Sequence, residues 1–146
     1  MDKAEGYMGL ARRAGTLLPG EKLCREAAGK GRLCLLVTAA DAAERSVRHA
    51  HAMGAEGNFP TASLPRSKEE LGRLLGCRSC AMAGFTDAGL AAAFAGAMAQ
   101  ENEEYKELQQ LIVPRDEKAE RVKAAGRKNK AAGKGGQKNG SNRNKI

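Results

Sequence analysis

An α/β fold, with helices on both faces of a small sheet, is what this 146-residue sequence predicts. Three observations carry the prediction. RLCLLVT (32–38) and CAMAGF (80–85) are short continuous apolar runs, as expected of strands buried on both faces. Segments with apolar residues at helical spacing lie around and between them. The two kinds of segment alternate along the chain, which is the pattern of strands linked through helices. Aromatic residues make up only 3% of the sequence, with no Trp, so the core must come from Leu, Val, Met and many alanines.

The first helix is marked by Tyr7, Leu10, Ala11 and Ala14, with Gly15 as its C-cap. A short link, TLLPG, leads to EKLCREAAGKG, where Leu23 and Ala27 mark one face and Gly29 or Gly31 ends the helix. The buried strand RLCLLVT follows. Asp41 then stands three residues before Glu44, a capping-box spacing that predicts a helix running to about Gly54. NFPTASL (58–64) is a weaker strand, supported mainly by its place in the alternation. Ser67-x-x-Glu70 is a capping box for SKEELGRLLG, and CAMAGF is the next buried strand. TDAGLAAAFAGAMAQ opens a helix with Leu90, Phe94 and Met98 in line, and the pattern extends it through Leu108, Leu111 and Ile112 until Pro114.

The net charge of +8 is not spread evenly. From Arg115 to the end there are 11 Lys/Arg and 3 Asp/Glu, whereas residues 1–114 hold 14 of each sign. RKNKAAGKGGQKNGSNRNKI has no aromatic residue and only its final Ile is large and apolar. Such a segment buries too little surface to offset its ordering entropy, so 115–146 is expected to be a disordered basic tail. A polycationic arm of this kind suits a nucleic-acid backbone. No apolar run reaches the length of a membrane span, and the start MDKAEGYMGLARRAG lacks the features of a secretory signal. A cytoplasmic protein that does not engage membranes is expected, its four cysteines free thiols.

Catalytic and metal motifs are weak. Gly29-Lys30-Gly31 lacks the earlier glycine and the hydroxyl residue of a phosphate loop. His49 and His51, two apart on a helix, are about 200° around it from one another and cannot share a metal. Cys77-x-x-Cys80 has zinc-knuckle spacing, but Cys24 and Cys34 do not form a second knuckle, and Cys34 sits inside a strand run. A redox pair would place Cys77 at a helix N-terminus; here it follows a helix. Neither an enzyme nor a bound cofactor or metal is expected.

GLARRAGTLLPGE, LCLLVTAADA, SKEELGRLLG and TDAGLAAAF together resemble the bacterial YlxQ-type branch of the seven-Ae/thirty-e ribosomal protein family, a set of kink-turn RNA-binding proteins. The resemblance covers roughly residues 5–99, and SKEELGRLLG followed by a strand and TDAG is its most specific part. It implies a three-layer α/β/α sandwich with a small mixed sheet over 1–100, a helix extension over 101–114, and the tail beyond. It also implies an RNA site made in two places.

One is the N-terminus of the second helix, where the family carries Asn-Glu-x-x-Lys. Here Glu21 keeps the acid, Gly20 replaces the Asn and Cys24 the Lys, with Lys22 and Arg25 flanking. Ala43 stands where some relatives place a further acidic contact residue. The other place is the loop after LGRLLG: Gly76, Cys77, Arg78 and Ser79, with Lys68 nearby. Helix N-termini attract phosphates, a carboxylate can accept guanine N–H groups, and RNA is read where bulges expose bases. Cys77 and Cys80 are then expected to offer small apolar surfaces to an unstacked base. The implied protein is a non-catalytic, monomeric RNA-binding component of the translation apparatus, with structured RNA, ribosomal RNA above all, as its partner. The alternatives are a protein-interaction adaptor using the helix at 86–113, and a thiol-based metal or redox protein.

Overall fold

Strand order and register, rather than helix count, fix where a site can form. The computed structural model describes residues 3–112, all within one compact unit, Met1–Arg115. The expected disordered tail, 115–146, and the last two residues of the expected helix extension lie outside the described residues. The elements run α1 (Lys3–Arg13), β1 (Leu17–Pro19), α2 (Glu21–Gly29), β2 (Leu35–Ala39), α3 (Glu44–Gly57), β3 (Thr61–Leu64), α4 (Lys68–Leu75), β4 (Met82–Phe85), α5 (Ala88–Ala99) and α6 (Glu104–Leu111). The sheet is mixed, in the order β1-β4-β2-β3: β4 is antiparallel to β1 and β2, while β2 and β3 are parallel.

The α/β class and the layering follow the sequence. All five residues of β2 are buried, as its unbroken apolar run requires. Leu35, Val37 and Ala39 point to one face and join Ala83, Phe85, Ala62 and Leu64 under α1, α4, α5 and α6. Leu36 and Met82 point to the other face and join Cys24 and Ala27 of α2, Ala50 and Met53 of α3, and Phe59. The two apolar clusters on opposite faces of one sheet make three layers.

Several elements differ from the sequence expectation, each for a physical reason. TLLPG contains a three-residue strand, β1, and its Pro19 is tolerated because β1 lies at the sheet edge. On α1 the buried stripe is Ala4, Met8 and Ala11, leaving Leu10 46% exposed. On α2 it is Cys24 and Ala27, and Leu23 is 42% exposed. Asp41 does not cap α3: that helix starts after Ala43 with no side-chain cap and runs to Gly57, closed by Asn58 in the left-handed conformation. Asp41 instead accepts the backbone N–H of Lys68 at 2.7 Å. The Ser67–Glu70 capping box of α4 forms in full, and Asp87 caps α5 by accepting the Gly89 N–H.

The helix expected to continue from α5 breaks at Gln100–Glu103. The N–H groups of Glu101 and Asn102 both turn back to the Met98 carbonyl, and Asn102 Oδ1 accepts the Glu104 N–H. Burial explains the break. Reversing the chain lets Tyr105 enter the core edge-on to Phe94, with ring centroids 5.8 Å apart, and donate its hydroxyl to the Ser63 carbonyl at 2.7 Å. An uninterrupted helix would carry that ring about 16 Å along the axis from Phe94, out of reach of it.

Candidate nucleic-acid interface

Because β4 runs against its neighbours, its first residue lies at the end of the sheet where β1, β2 and β3 finish. Ala83 pairs with Pro19 and Met82 with Thr38, while Thr38 and Ala39 pair with Ser63 and Leu64. From that end the chain enters α2, α3 and α4, so three helix N-termini converge there. Each carries partial positive charge from N–H groups that no carbonyl of its own helix can accept.

The three are not equivalent. Around α4 the orphan donors are occupied: Ser67 Oγ takes the Glu70 N–H and Asp41 takes that of Lys68. Neither α2 nor α3 has a side-chain cap. At α2 the N-cap is Gly20, with φ of 90°, a conformation that disfavours any side chain. Its N–H donates to the Met82 carbonyl at 2.8 Å, which seats the start of α2 against the start of β4.

Glu21, the first residue of α2, is held rather than free. Its Oε2 takes the Arg25 guanidinium one turn on and His49 Nδ1 of α3 at 2.8 Å. An ionised carboxylate only accepts, so the imidazole carries its proton on Nδ1 in this contact. Burial acts to raise the Glu21 carboxyl, but the hydrogen bonds from His49 and Arg25 outweigh it and hold the group below its ordinary range. Both donors use the same oxygen. Oε1 therefore has no partner among the described residues.

The second expected place is the return from α4 to β4. Gly76 closes α4 in the left-handed conformation. The chain then doubles back along the helix: the Cys77 N–H meets the Gly72 carbonyl at 2.7 Å, and the Cys80 N–H meets the Lys68 carbonyl at 3.0 Å. It runs so close that a Cβ on Gly72 would lie 2.8 Å from Ser79 N and 2.9 Å from the Cys77 carbonyl oxygen. Gly76, Arg78 and Ser79 are exposed, Cys77 is half-buried, and Lys68 lies at the foot of the loop. Lys22, Lys68 and Arg78 form no ion pair among the described residues.

The two places meet through Gly20 and Cys80. The Gly20 N–H and Cys80 Sγ both donate to the Met82 carbonyl, at 2.8 and 2.9 Å. One expectation needs correction here. Cys80 is buried, so it cannot offer surface to an unstacked base; of the pair only Cys77 is partly accessible. Cys24 points into the core with Sγ toward the Leu18 carbonyl, and burial pushes its thiol up to about 12. The cations beside the α2 N-terminus are Lys22 and Arg25. The sequence raises His49 only as a metal ligand and does not single out Arg12, which holds the Leu75 carbonyl at 2.9 Å. Their partners are 28 and 63 residues away, and no local pattern marks such pairs.

No protein-family model matches the chain, and no curated protein matches it. Among solved structures the chain is similar to a protein with unknown function from Bacillus halodurans, at 26% identity and a TM-score of 0.62, over 67% of this chain and 98% of that one. It is also similar to the Giardia lamblia 15.5kD RNA binding protein, at 16% identity and a TM-score of 0.55, over 74% of this chain and 86% of that one. The second likeness is one of fold. No helix among the described residues is long and apolar enough to cross a membrane.

Proposed function

We propose that this chain is a non-catalytic RNA-binding protein of the translation apparatus that recognises a bulged or kinked RNA, ribosomal RNA being the natural source. In this reading it is a cytoplasmic, monomeric relative of the YlxQ-type branch of the seven-Ae/thirty-e family and uses no cofactor. The observation that carries the proposal is the Gly20–Met82 bond, which joins the uncapped α2 N-terminus to the start of β4, the strand that the exposed return at 76–79 leads into. The α2 N–H groups and Lys22 receive phosphates; Glu21 Oε1 accepts an N–H donor from a guanine edge; the loop, with Arg78 and half-buried Cys77, packs on an unstacked base. The fold shared with the Giardia lamblia RNA binding protein supports the same reading. Lys68 and Arg25 flank the two places and add positive potential.

The test is titration of the full-length protein onto an RNA stem with a bulge and onto the same stem without it, across a salt series. Binding is expected to favour the bulged RNA and to weaken with salt as counterions are released. Equal affinity for both RNAs, unaltered by K22A and R78A, would overturn the proposed site. Binding of a protein partner that is insensitive to salt, with none to RNA, would favour the adaptor alternative.

A further inference from the structure

Arg12 is in the last turn of α1, yet its Nε donates to the Leu75 carbonyl at 2.9 Å. Leu75 is the last residue of α4, where carbonyls lack helical partners and a guanidinium is favourable to the helix dipole. Besides a long contact from Cys77 Sγ to the Leu75 carbonyl at 3.9 Å, three shorter ties define the course of the return at 76–79. Arg12 holds its start, the Cys77 N–H to Gly72 bond its middle, and the Cys80 N–H to Lys68 bond its end. Two of the three are backbone contacts within the same segment. Among the described residues, Arg12 is the one side chain of another element that hydrogen-bonds to the loop's origin. Its helix is itself fastened near its other end, where Glu5 pairs with Arg66 in the chain entering α4.

We propose that Arg12 is a positioning residue for the RNA-facing loop. It fixes the point at which the chain leaves α4, and with it the place where Cys77, Arg78 and Ser79 stand. The inference rests on the RNA-binding reading above. A loop beginning at a left-handed glycine has other exits from the helix open to it. Fixing one of them in advance removes ordering entropy that a bulged RNA would otherwise have to supply on binding. A plain duplex, bound through phosphates alone, gains little from the fixed loop. Arg12 therefore acts on selectivity more than on total affinity.

The experiment compares full-length wild type, R12M and R12K. Amide hydrogen exchange at 77–80 is followed together with affinity for bulged and unbulged RNA over a salt series. R12M is expected to raise exchange at 77–80 and to cut the preference for bulged RNA by about fivefold, the worth of roughly one hydrogen bond. Its salt slope should match that of wild type. R12K keeps a donor and the charge and should restore most of the preference; R12Q, which keeps a donor without the charge, serves as a second variant if R12M does not fold. A wild-type preference that survives intact in R12M overturns the inference. So does a salt slope reduced by about 0.7–0.9 with the preference unchanged, because Arg12 would then be a phosphate contact. A wild type with no preference at all overturns the RNA reading itself, and unchanged exchange at 77–80 would separately overturn the loop-positioning role.

Discussion

Glu21→Gln separates recognition from scaffolding at the α2 N-terminus. In the wild type, one carboxylate oxygen takes Arg25 and His49 and the other has no partner among the described residues. Glutamine has a single acceptor oxygen. If that oxygen turns inward to His49, the amide NH2 faces the RNA and opposes guanine's donors. If it turns outward, the NH2 confronts two donors within the protein. The mutation therefore removes acceptance on one side or the other. On the RNA side, a hydrogen bond to a charged acceptor is worth about 1.5–3 kcal/mol, so affinity for bulged RNA should fall by at least about tenfold. On the folding side the loss is small. The Arg25 pair is exposed, with Arg25 58% and Glu21 31% accessible, and such pairs contribute about 0.3–0.5 kcal/mol. Adding the His49 bond gives about 1 kcal/mol in all, or a Tm lowered by about 4 °C.

The assay is RNA titration paired with calorimetric melting of the same preparations. A clear loss of affinity with a small Tm change is the expected result. Unaltered RNA affinity with a lowered Tm would refute the reasoning and leave Glu21 as a tie between α2 and α3. Acid titration adds a check on sign. Glu21 is held below its ordinary value of 4.5, so its contribution to stability is complete above that value and disappears as pH falls through the lower folded one. The stability gap between wild type and E21Q should accordingly be present at neutral pH and close on acidification below about 4.5.

Gly72→Ala should destabilise the fold by about 1–3 kcal/mol in chemical denaturation, because its Cβ meets the backbone of the return at 2.8–2.9 Å. Gly29→Ala, where a Cβ meets nothing within 4 Å, should be neutral or stabilising by up to about 1 kcal/mol; equal effects of the two would argue against the close return. Native labelling with iodoacetamide, read by mass spectrometry, should modify Cys77 well before the buried Cys24, Cys34 and Cys80. Stoichiometric zinc in the purified protein, lost with the fold in C77S/C80S, would refute the view that these thiols are not ligands. Deleting 115–146, with its 11 cations, should flatten the salt slope by roughly 3 if four or so engage phosphates, while the ranking of bulged over plain RNA persists. A deletion that erases the ranking and leaves the slope unchanged would assign RNA reading to the tail.

Much of the fold was legible because its signals are local. A run such as LCLLVT has no polar face to show water, and Ser67-x-x-Glu70 closes on itself within one turn, so β2 and the start of α4 could be read directly. What escaped depends on distant partners. β1 is three residues ending in a proline, and it exists as a strand only because β4 is there to pair with it. The break between α5 and α6 has no glycine or proline to announce it; the buried Tyr105 and its Ser63 acceptor make it. Asp41 has the spacing of a cap for α3, yet it binds the start of α4, 27 residues on. The candidate site divides the same way. Glu21 and the 76–79 return were named from sequence as candidates, whereas the inward orientation of Cys24 and the grip of His49 on Glu21 needed the packing of α2 on the sheet and on α3.

That grip bears on how an acid can serve a site that must attract a polyanion. A bare carboxylate at the α2 N-terminus would offset the helix dipole and repel phosphates. Arg25 and His49, bound to one oxygen, draw the carboxylate's charge toward the protein while the other oxygen keeps its lone pairs for an N–H donor. The N–H groups of α2, Lys22 and Arg78 can then act on phosphates with little opposition from Glu21. On the proposed RNA-binding function, affinity and discrimination would reside in different atoms of one small surface. Cations and helix N–H groups would bind any RNA backbone, while Glu21 Oε1 and the return at 76–79 would reward only an RNA that presents a base edge and an unstacked base. On this division, cation changes such as K22A should weaken bulged and plain RNA alike, and changes at Glu21 or Arg12 should weaken the bulged RNA selectively.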